Sequence, residues 1–356
     1  MSRKHFSGLL IATALVALLL LLIPDRAGRK SGFEPLPLLP GLAEQINDIG
    51  WLRLTGPGGE VIATLERGDT RWQLREAGGY PADWERLRSL LVALSEAEII
   101  EPKTANSAYY DRLGVQDVER EDAAGVRVEF AAETGLPAVI VGNSAQGRDG
   151  SYVREQGAAA SFLVDRRLEL PREREAWMER TVVDIADGEV VEVGIVHPDG
   201  EVVAARKVSA DDEDFELQGI PGGREIRSKW TVNSLAGSLS SLTLDEVMHA
   251  DQFDWSDATR FRLLTADGLE VEVELQRIGA PAPAPGQAAA AEQDAVREGG
   301  EEYWLRIDAR ASEEAAAERA AAINERTAGW AYRVAKFKYE SMTRRMDDLL
   351  QATGSS

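Results

Sequence analysis

The chain states one pattern twice. From Trp51 it reads WLRLTGPGGEVIATLERGDTRWQL, and from Val191 it reads VEVGIVHPDGEVVAARKVSADDEDFEL. Each stretch holds an alternating run, a turn (Pro57-Gly58-Gly59 or Pro198-Asp199-Gly200), a Glu-Val pair and a second alternating run. Period-two alternation marks a strand with one buried face, and a turn glycine supplies the positive φ of a tight hairpin. A third short strand is expected at Trp72-Gln73-Leu74 and at Phe215-Glu216-Leu217. Apolar residues at Trp84, Leu87, Leu90, Leu91 and Leu94 then have helical spacing, with Pro81 suited to the helix start. Trp230, Val232, Leu235, Leu239 and Leu242 hold the comparable place in the second copy. Acidic-apolar exits follow at Ala97–Ile100 and Leu244–Val247, and then second hairpins from Gly125 and Ala258.

The end of each copy is read through the other. Strands are expected at Ser151–Arg154 and Ser161–Asp165, with a helix near Glu169–Met178. Copy two offers Tyr303–Ile307, then a long Ala/Glu/Arg stretch that pattern alone would make one helix. Because Trp330, Tyr332 and Val334 alternate like Phe162 and Val164, and Gly329 breaks the stretch, we expect a helix at Glu313–Arg326, a strand at Trp330–Val334 and a final helix at Lys338–Leu350. Copy one carries an insertion at Pro102–Leu113, with Tyr109, Tyr110 and Leu113 expected to pack on its sheet. Copy two carries one at 279–301, whose APAPAPGQAAAAEQ lacks apolar surface and is expected to be a mobile hairpin tip. The fold class is therefore α+β: two tandem units, 41–180 and 181–356, each of about seven short, mostly antiparallel strands and two helices.

Ahead of the body, Phe6–Ile23 is eighteen residues without a charge, about the shortest run that spans a hydrocarbon core of roughly 30 Å. No small-x-small cleavage site ends it, so it reads as an uncleaved signal anchor, one transmembrane helix over 6–23 behind a cytoplasmic tail at 1–5. Arg26, Arg29 and Lys30 outnumber Arg3 and Lys4, which leaves orientation unsettled by charge alone. A short tail and a bulky following body favour export. The expected location is the bacterial inner membrane, single-pass, with the body extracytoplasmic. Residues 24–40 hold Pro24, Pro35, Pro37 and Pro40 and read as an extended tether. A short helix at Ala43–Ile49 leads into the body.

Chemistry is sparse. The chain of 356 residues has no cysteine, three histidines and a net charge of −21. Disulfides, thiolate nucleophiles and cysteine metal sites are excluded, and a surface this acidic repels nucleic acid. A three-histidine metal site would need His5, His197 and His249 together. His197, in a turn beside Pro198, is expected to be solvated. The glycine pairs at 58–59, 78–79, 222–223 and 299–300 lack the lysine and the context of a phosphate loop. Gly142–Gly147 places its second glycine one residue too far from Ser144 for a nucleophile elbow. Asp211–Asp214 lacks the ligand spacing of a calcium loop and reads as a solvated turn. Arg166-Arg167 and Arg344-Arg345 are too small for a nucleic-acid stripe. Of eight tryptophans, Trp51, Trp72, Trp84, Trp177, Trp230 and Trp304 take core positions on pattern, while Trp255 and Trp330 are ambiguous. No catalytic, cofactor or metal residue is assigned.

Four segments resemble a known family: RWQLREAGGYPADWERLRSLLVALSEAEIIEPKTA (Arg71–Ala105), YYDRLGV (Tyr109–Val115), SFLVDRRLELP (Ser161–Pro171) and WAYRVAKFKYESMTRRMDDLL (Trp330–Leu350). They are similar to the bacterial domain-of-unknown-function family 4340. Its motifs are structural, and the resemblance transfers no functional residue. It implies, by association, a place beside ABC-type export systems and gliding-motility-like auxiliary proteins. The expected function is a non-catalytic, membrane-anchored accessory protein, an auxiliary subunit of an ABC-type transport or envelope complex with a protein partner there. Two alternatives stay open: a ligand- or glycan-binding module using the cleft between the repeats, and a hydrolase using paired carboxylates.

Overall fold

The computed structural model describes residues 33–279 and 300–352. The tail at 1–5, the span at 6–23, the start of the tether and nearly all of the insertion at 279–301 lie outside the described residues. No helix among those described is long and apolar enough to cross a membrane.

The strands in chain order are Leu36–Pro37 (β1), Trp51–Thr55 (β2), Val61–Arg67 (β3), Trp72–Leu74 (β4), Tyr80–Pro81 (β5), Glu98–Pro102 (β6), Val126–Phe130 (β7), Val139–Ser144 (β8), Ser151–Glu155 (β9) and Ser161–Val164 (β10). They continue with Thr181–Val183 (β11), Val190–Val196 (β12), Val202–Arg206 (β13), Glu216–Gln218 (β14), Leu242–Thr243 (β15), Glu246–His249 (β16), Thr259–Thr265 (β17), Leu269–Gly279 (β18), Glu301–Ala311 (β19) and Trp330–Arg333 (β20). The molecule is a mixed helix and sheet protein whose described strand pairings are antiparallel.

Two compact units interleave along the chain. The first takes residues 33–47, Gly56–Gly59 and Leu91–Glu169. In it six strands pair in the order β1-β6-β10-β9-β8-β7. Tether residues Leu36 and Pro37 thus pair with Ile99 and Glu98. Its core holds Val126, Val128, Phe130, Val139, Ile140, Val141, Leu163 and Val164.

Arg154 is the unit's polar pin. It is 2% exposed on β9. Its Nε donates to the Val115 carbonyl at 2.7 Å, Nη1 to Ala158 at 2.9 Å and Nη2 to Asp117 Oδ1 at 2.5 Å. Its guanidinium also lies 4.7 Å from the centre of the Tyr110 ring, whose hydroxyl donates to the Ala159 carbonyl. The inserted segment is held by this cluster. Tyr110 is buried and Leu113 half-buried, whereas Tyr109, expected on the sheet, is 46% exposed.

The second unit takes Asp48–Thr55, Glu60–Leu90 and the described chain from Leu170. It holds the run β2-β3-β4-β5, the pair β11-β15 and the eight-stranded run β14-β13-β12-β17-β18-β19-β20-β16. The segment GLEVEVEL shows how sequence makes the sheet. Val271, Val273 and Leu275 face inward, fully or almost fully buried, while Glu270, Glu272 and Glu274 alternate outward. Those carboxylates meet arginines of neighbouring strands: Arg260 with Glu274 at 3.5 Å and Arg262 with Glu270 at 3.6 Å. Each exposed pair contributes little, about 0.2–1 kcal/mol, so the inward face decides register.

Helical expectations hold where packing is one-sided and fail elsewhere. Trp84–Ser95 is a helix with Leu87, Leu90, Leu91 and Leu94 buried, and Ala317–Thr327 is another. The helix expected at Glu169–Met178 is only a 3-10 turn, Arg174–Trp177. There Arg174 turns its guanidinium to the Ile62 and Val61 carbonyls, and Trp177 is fully buried. The second copy's helix shortens to Lys229–Asn233 and a 3-10 turn, Ala236–Leu239. Its serines bond backbone instead of continuing the coil: Ser240 Oγ donates to the Ile185 carbonyl, and Ser241 takes a positive φ of 47°. The expected helix at Lys338–Leu350 splits into Lys336–Met342 and Met346–Leu349. The backbone N–H of Arg345 donates to Asp348 Oδ2 at 2.8 Å where the helix restarts, while its guanidinium pairs with Asp199 and Glu201.

Replacing Arg154 with alanine strips three acceptors of their donor, and should lower stability by about 3 kcal/mol in denaturant unfolding. Lysine, lacking the fork, should recover only part of this. An unchanged midpoint for Arg154→Ala would contradict the assignment.

Candidate functional site: an acidic groove at a sheet edge

The eight-stranded run ends on β14, which has only three residues. Its preceding residue, Phe215, donates its backbone N–H to Asn233 Oδ1 at 2.9 Å, turning away from β13. Asn233 Nδ2 donates in turn to Asp214 Oδ1 at 2.9 Å, and Lys229 Nζ to Asp214 Oδ2 at 2.6 Å. Both donors sit on the short helix Lys229–Asn233, which Ser228 caps by accepting from the Thr231 N–H. The hydrogen bonds from Lys229 and Asn233 hold the Asp214 carboxyl below its usual range. Lys207 lies over the Phe215 ring at 5.3 Å.

Beyond β14 an open groove of about 1020 Å³ runs between residues 211–217 and Arg224–Lys229. Six carboxylates line it, from Asp211, Asp212, Glu213, Asp214, Glu216 and Glu225, against two cations, Arg224 and Lys229. The cations are engaged: Lys229 with Asp214, and Arg224 with Asp347 at 3.0 Å and the Gln351 carbonyl at 2.9 Å. Asp212 accepts from the Ser209 N–H at 2.8 Å, so part of the acidic run does build a turn, as expected. Asp211, Glu213 and Glu216 form no ion pair among the described residues. Apolar surface adjoins the charge. Val208 is 72% exposed and Ile220 38%, both on the lining, and Trp230, next to Lys229, is 75% exposed.

Trp230 and Trp84, expected in the core, therefore stand outside it. Each lies in the first turn of a helix, where the layer below no longer covers the side chain. Trp72, Trp177, Trp255 and Trp304 are buried. His197, expected in solvent, is 5% exposed and lies 3.4 Å from Thr259 Oγ1 and 3.3 Å from the Arg344 carbonyl. One arginine of each basic pair meets carboxylates on the surface, Arg166 with Asp165 and Glu96, and Arg345 with Asp199 and Glu201. Ser144 closes β8 opposite Ser151, in the hairpin expected of it. No group of histidines and carboxylates among the described residues has the geometry to hold a metal ion.

A second cluster is packed rather than open. His249 stacks on Trp330 at 4.4 Å, and Tyr80 meets Trp330 and Tyr332 edge-on at 5.3 and 6.1 Å. Gly78 is required there, because a Cβ would stand 3.0 Å from His249 Nε2 on a backbone with φ of 67°. Burial raises the hydroxyls of Tyr80 and Tyr332 well above the ordinary tyrosine value of 10.0. The cluster reads as structural.

Sequence inspection found the Asp211–Asp214 run but missed Asn233 and the groove. A lone asparagine in a short helix carries no pattern, and the segments forming the groove are distant in pattern though near in space.

An antiparallel helix-and-sheet protein with an acidic groove at one sheet edge is what these features define. The profile of the family described as Domain of unknown function (DUF4340) matches residues 72–279, more than half the chain. The chain belongs to that family. No curated protein and no solved structure matches it.

The tyrosine pair sets an alkaline limit. Its folded pKa values lie above the unfolded value, so its contribution to stability is complete below pH 10.0 and lost as pH rises further, when the unfolded chain ionises first. Tyrosinate absorbance should show both groups ionising only as the chain unfolds. Their ionisation near the ordinary value in folded protein would contradict the packing described.

Proposed function

We propose that this chain is a non-catalytic, membrane-anchored extracytoplasmic accessory protein that binds a protein partner at the groove beside β14. The observation that carries the reading is the exposed apolar pair Val208 and Ile220 lining an open groove at a strand edge, with the exposed Trp230 next in the chain to the lining residue Lys229. Exposed indole next to apolar and charged surface is the composition of a binding hot spot. The uncharged run Phe6–Ile23 supports anchoring, and an anchor raises the effective concentration of the body for a membrane partner. The family resemblance supports placing that partner in an ABC-type transport or envelope complex.

The same reading includes an internal duplication. The meander β2-β3-β4 and the run β7-β8-β9-β10-β6 correspond in chain order to β12-β13-β14 and β17-β18-β19-β20-β16. Smaller features agree. Ala82 bridges Met178 as Ile226 bridges Leu350, and the Asp83 N–H donates to the Trp177 carbonyl as the Arg227 N–H does to Leu349.

Crosslinking in native membranes followed by affinity capture of the full chain and mass spectrometry tests the function. A membrane-complex subunit should be recovered with the native chain and lost at least tenfold with Trp230→Glu. Equal recovery with both chains, or recovery of no specific protein, would overturn the reading.

A further inference from the structure

The two meanders end differently. In the first, the segment after Gly78-Gly79 closes on β4: Tyr80 pairs with Leu74 and Pro81 with Gln73. The Gly79 N–H donates to the Leu74 carbonyl at 3.0 Å, and the Ala82 N–H to the Trp72 carbonyl at 2.9 Å. In the second, one more residue separates Leu217 from Gly222-Gly223 than separates Leu74 from Gly78-Gly79. The following segment, Arg224–Ile226, is tied elsewhere. Gln351 N–H donates to the Glu225 carbonyl at 2.9 Å, Ile226 bridges Leu350, and Arg224 reaches Asp347. It makes no backbone bond to β14 among the described residues, and the groove is the gap that remains.

The edge facing that gap is a donor-acceptor edge. The Phe215 N–H points away from β13, so by strand alternation the N–H and C=O of Leu217 point the same way. An unpaired strand edge accepts an extended chain, with main-chain bonds giving affinity and flanking side chains giving specificity. Asp211, Glu213 and Glu216 set the sign of those side chains, and Val208 and Ile220 offer apolar contact.

We infer that the groove receives an extended, basic segment of the partner polypeptide, which adds to β14 as β5 adds to β4 and alternates Lys or Arg with apolar residues. This rests on the proposed partner-binding function and specifies its chemistry. Main-chain pairing selects a polypeptide over a polyamine or metal cation, and the carboxylates select positive side chains.

The probe is a fluorescein-labelled, capped Lys-Val alternating hexapeptide, titrated into the full-length chain in detergent. Three comparisons accompany it: a Glu-Val hexapeptide, the Lys-Val peptide with alternate backbone nitrogens methylated, and the variant Asp211→Lys/Glu213→Lys/Glu216→Lys. These three side chains make no ion pair among the described residues, so the variant should keep its unfolding midpoint. Binding should weaken at least tenfold with each change, and exchange of the Leu217 amide should slow at least tenfold when the Lys-Val peptide is bound. Equal binding of the methylated peptide would overturn strand addition, and unchanged binding by the variant would overturn the charge assignment. No binding of the Lys-Val peptide overturns the inference while leaving the partner function standing if Trp230-dependent capture from membranes persists; loss of both overturns both.

Discussion

The side-chain amide of Asn233 decides the character of the sheet edge. It accepts from the Phe215 N–H and donates to Asp214, so one residue on a short helix fixes where β14 begins and holds a carboxylate beside it. An edge strand of three residues has little cross-strand surface of its own. Its position is set from outside the ladder, by this amide and by Lys229. The groove exists because β14 is held on that side while Arg224–Ile226 is drawn to the C-terminal segment 347–351.

The same contrast of inward pattern and outward tie runs through the molecule. In the long pair β18–β19, Val271, Val273, Leu275, Leu305 and Ile307 specify the inward face by burial, and the Asn324 side-chain amide adds a tie to both backbone groups of Ala309. The inserted segment around Tyr110 has no such stripe and depends on Arg154, whose guanidinium satisfies two carbonyls and a carboxylate. Buried charge of this kind is tolerable only when its donors are used.

These differences explain what the amino-acid order reveals. The strands were legible because period-two alternation with turn glycines is a local signal, as at Leu269–Leu275. Trp330–Arg333 was legible only by analogy with Ser161–Val164, since the Ala/Glu/Arg stretch before it reads as continuous helix. Helices that depend on tertiary ties were not legible: the turn at Arg174–Trp177 forms because Arg174 reaches Ile62 and Val61, more than a hundred residues earlier in the chain. The exposure of Trp230 was equally hidden, because helical spacing reports a face and not whether anything covers the helix end. The groove combines an acidic run visible in sequence with a strand edge that only the fold creates.

The central claim is that this edge meets another polypeptide. A photo-crosslinking amino acid placed at Trp230 in the anchored chain, irradiated in native membranes, tests it most directly. The account predicts one reproducible protein adduct that is suppressed by the Lys-Val peptide. The absence of any protein adduct from that position, in a folded and correctly anchored chain, would contradict it.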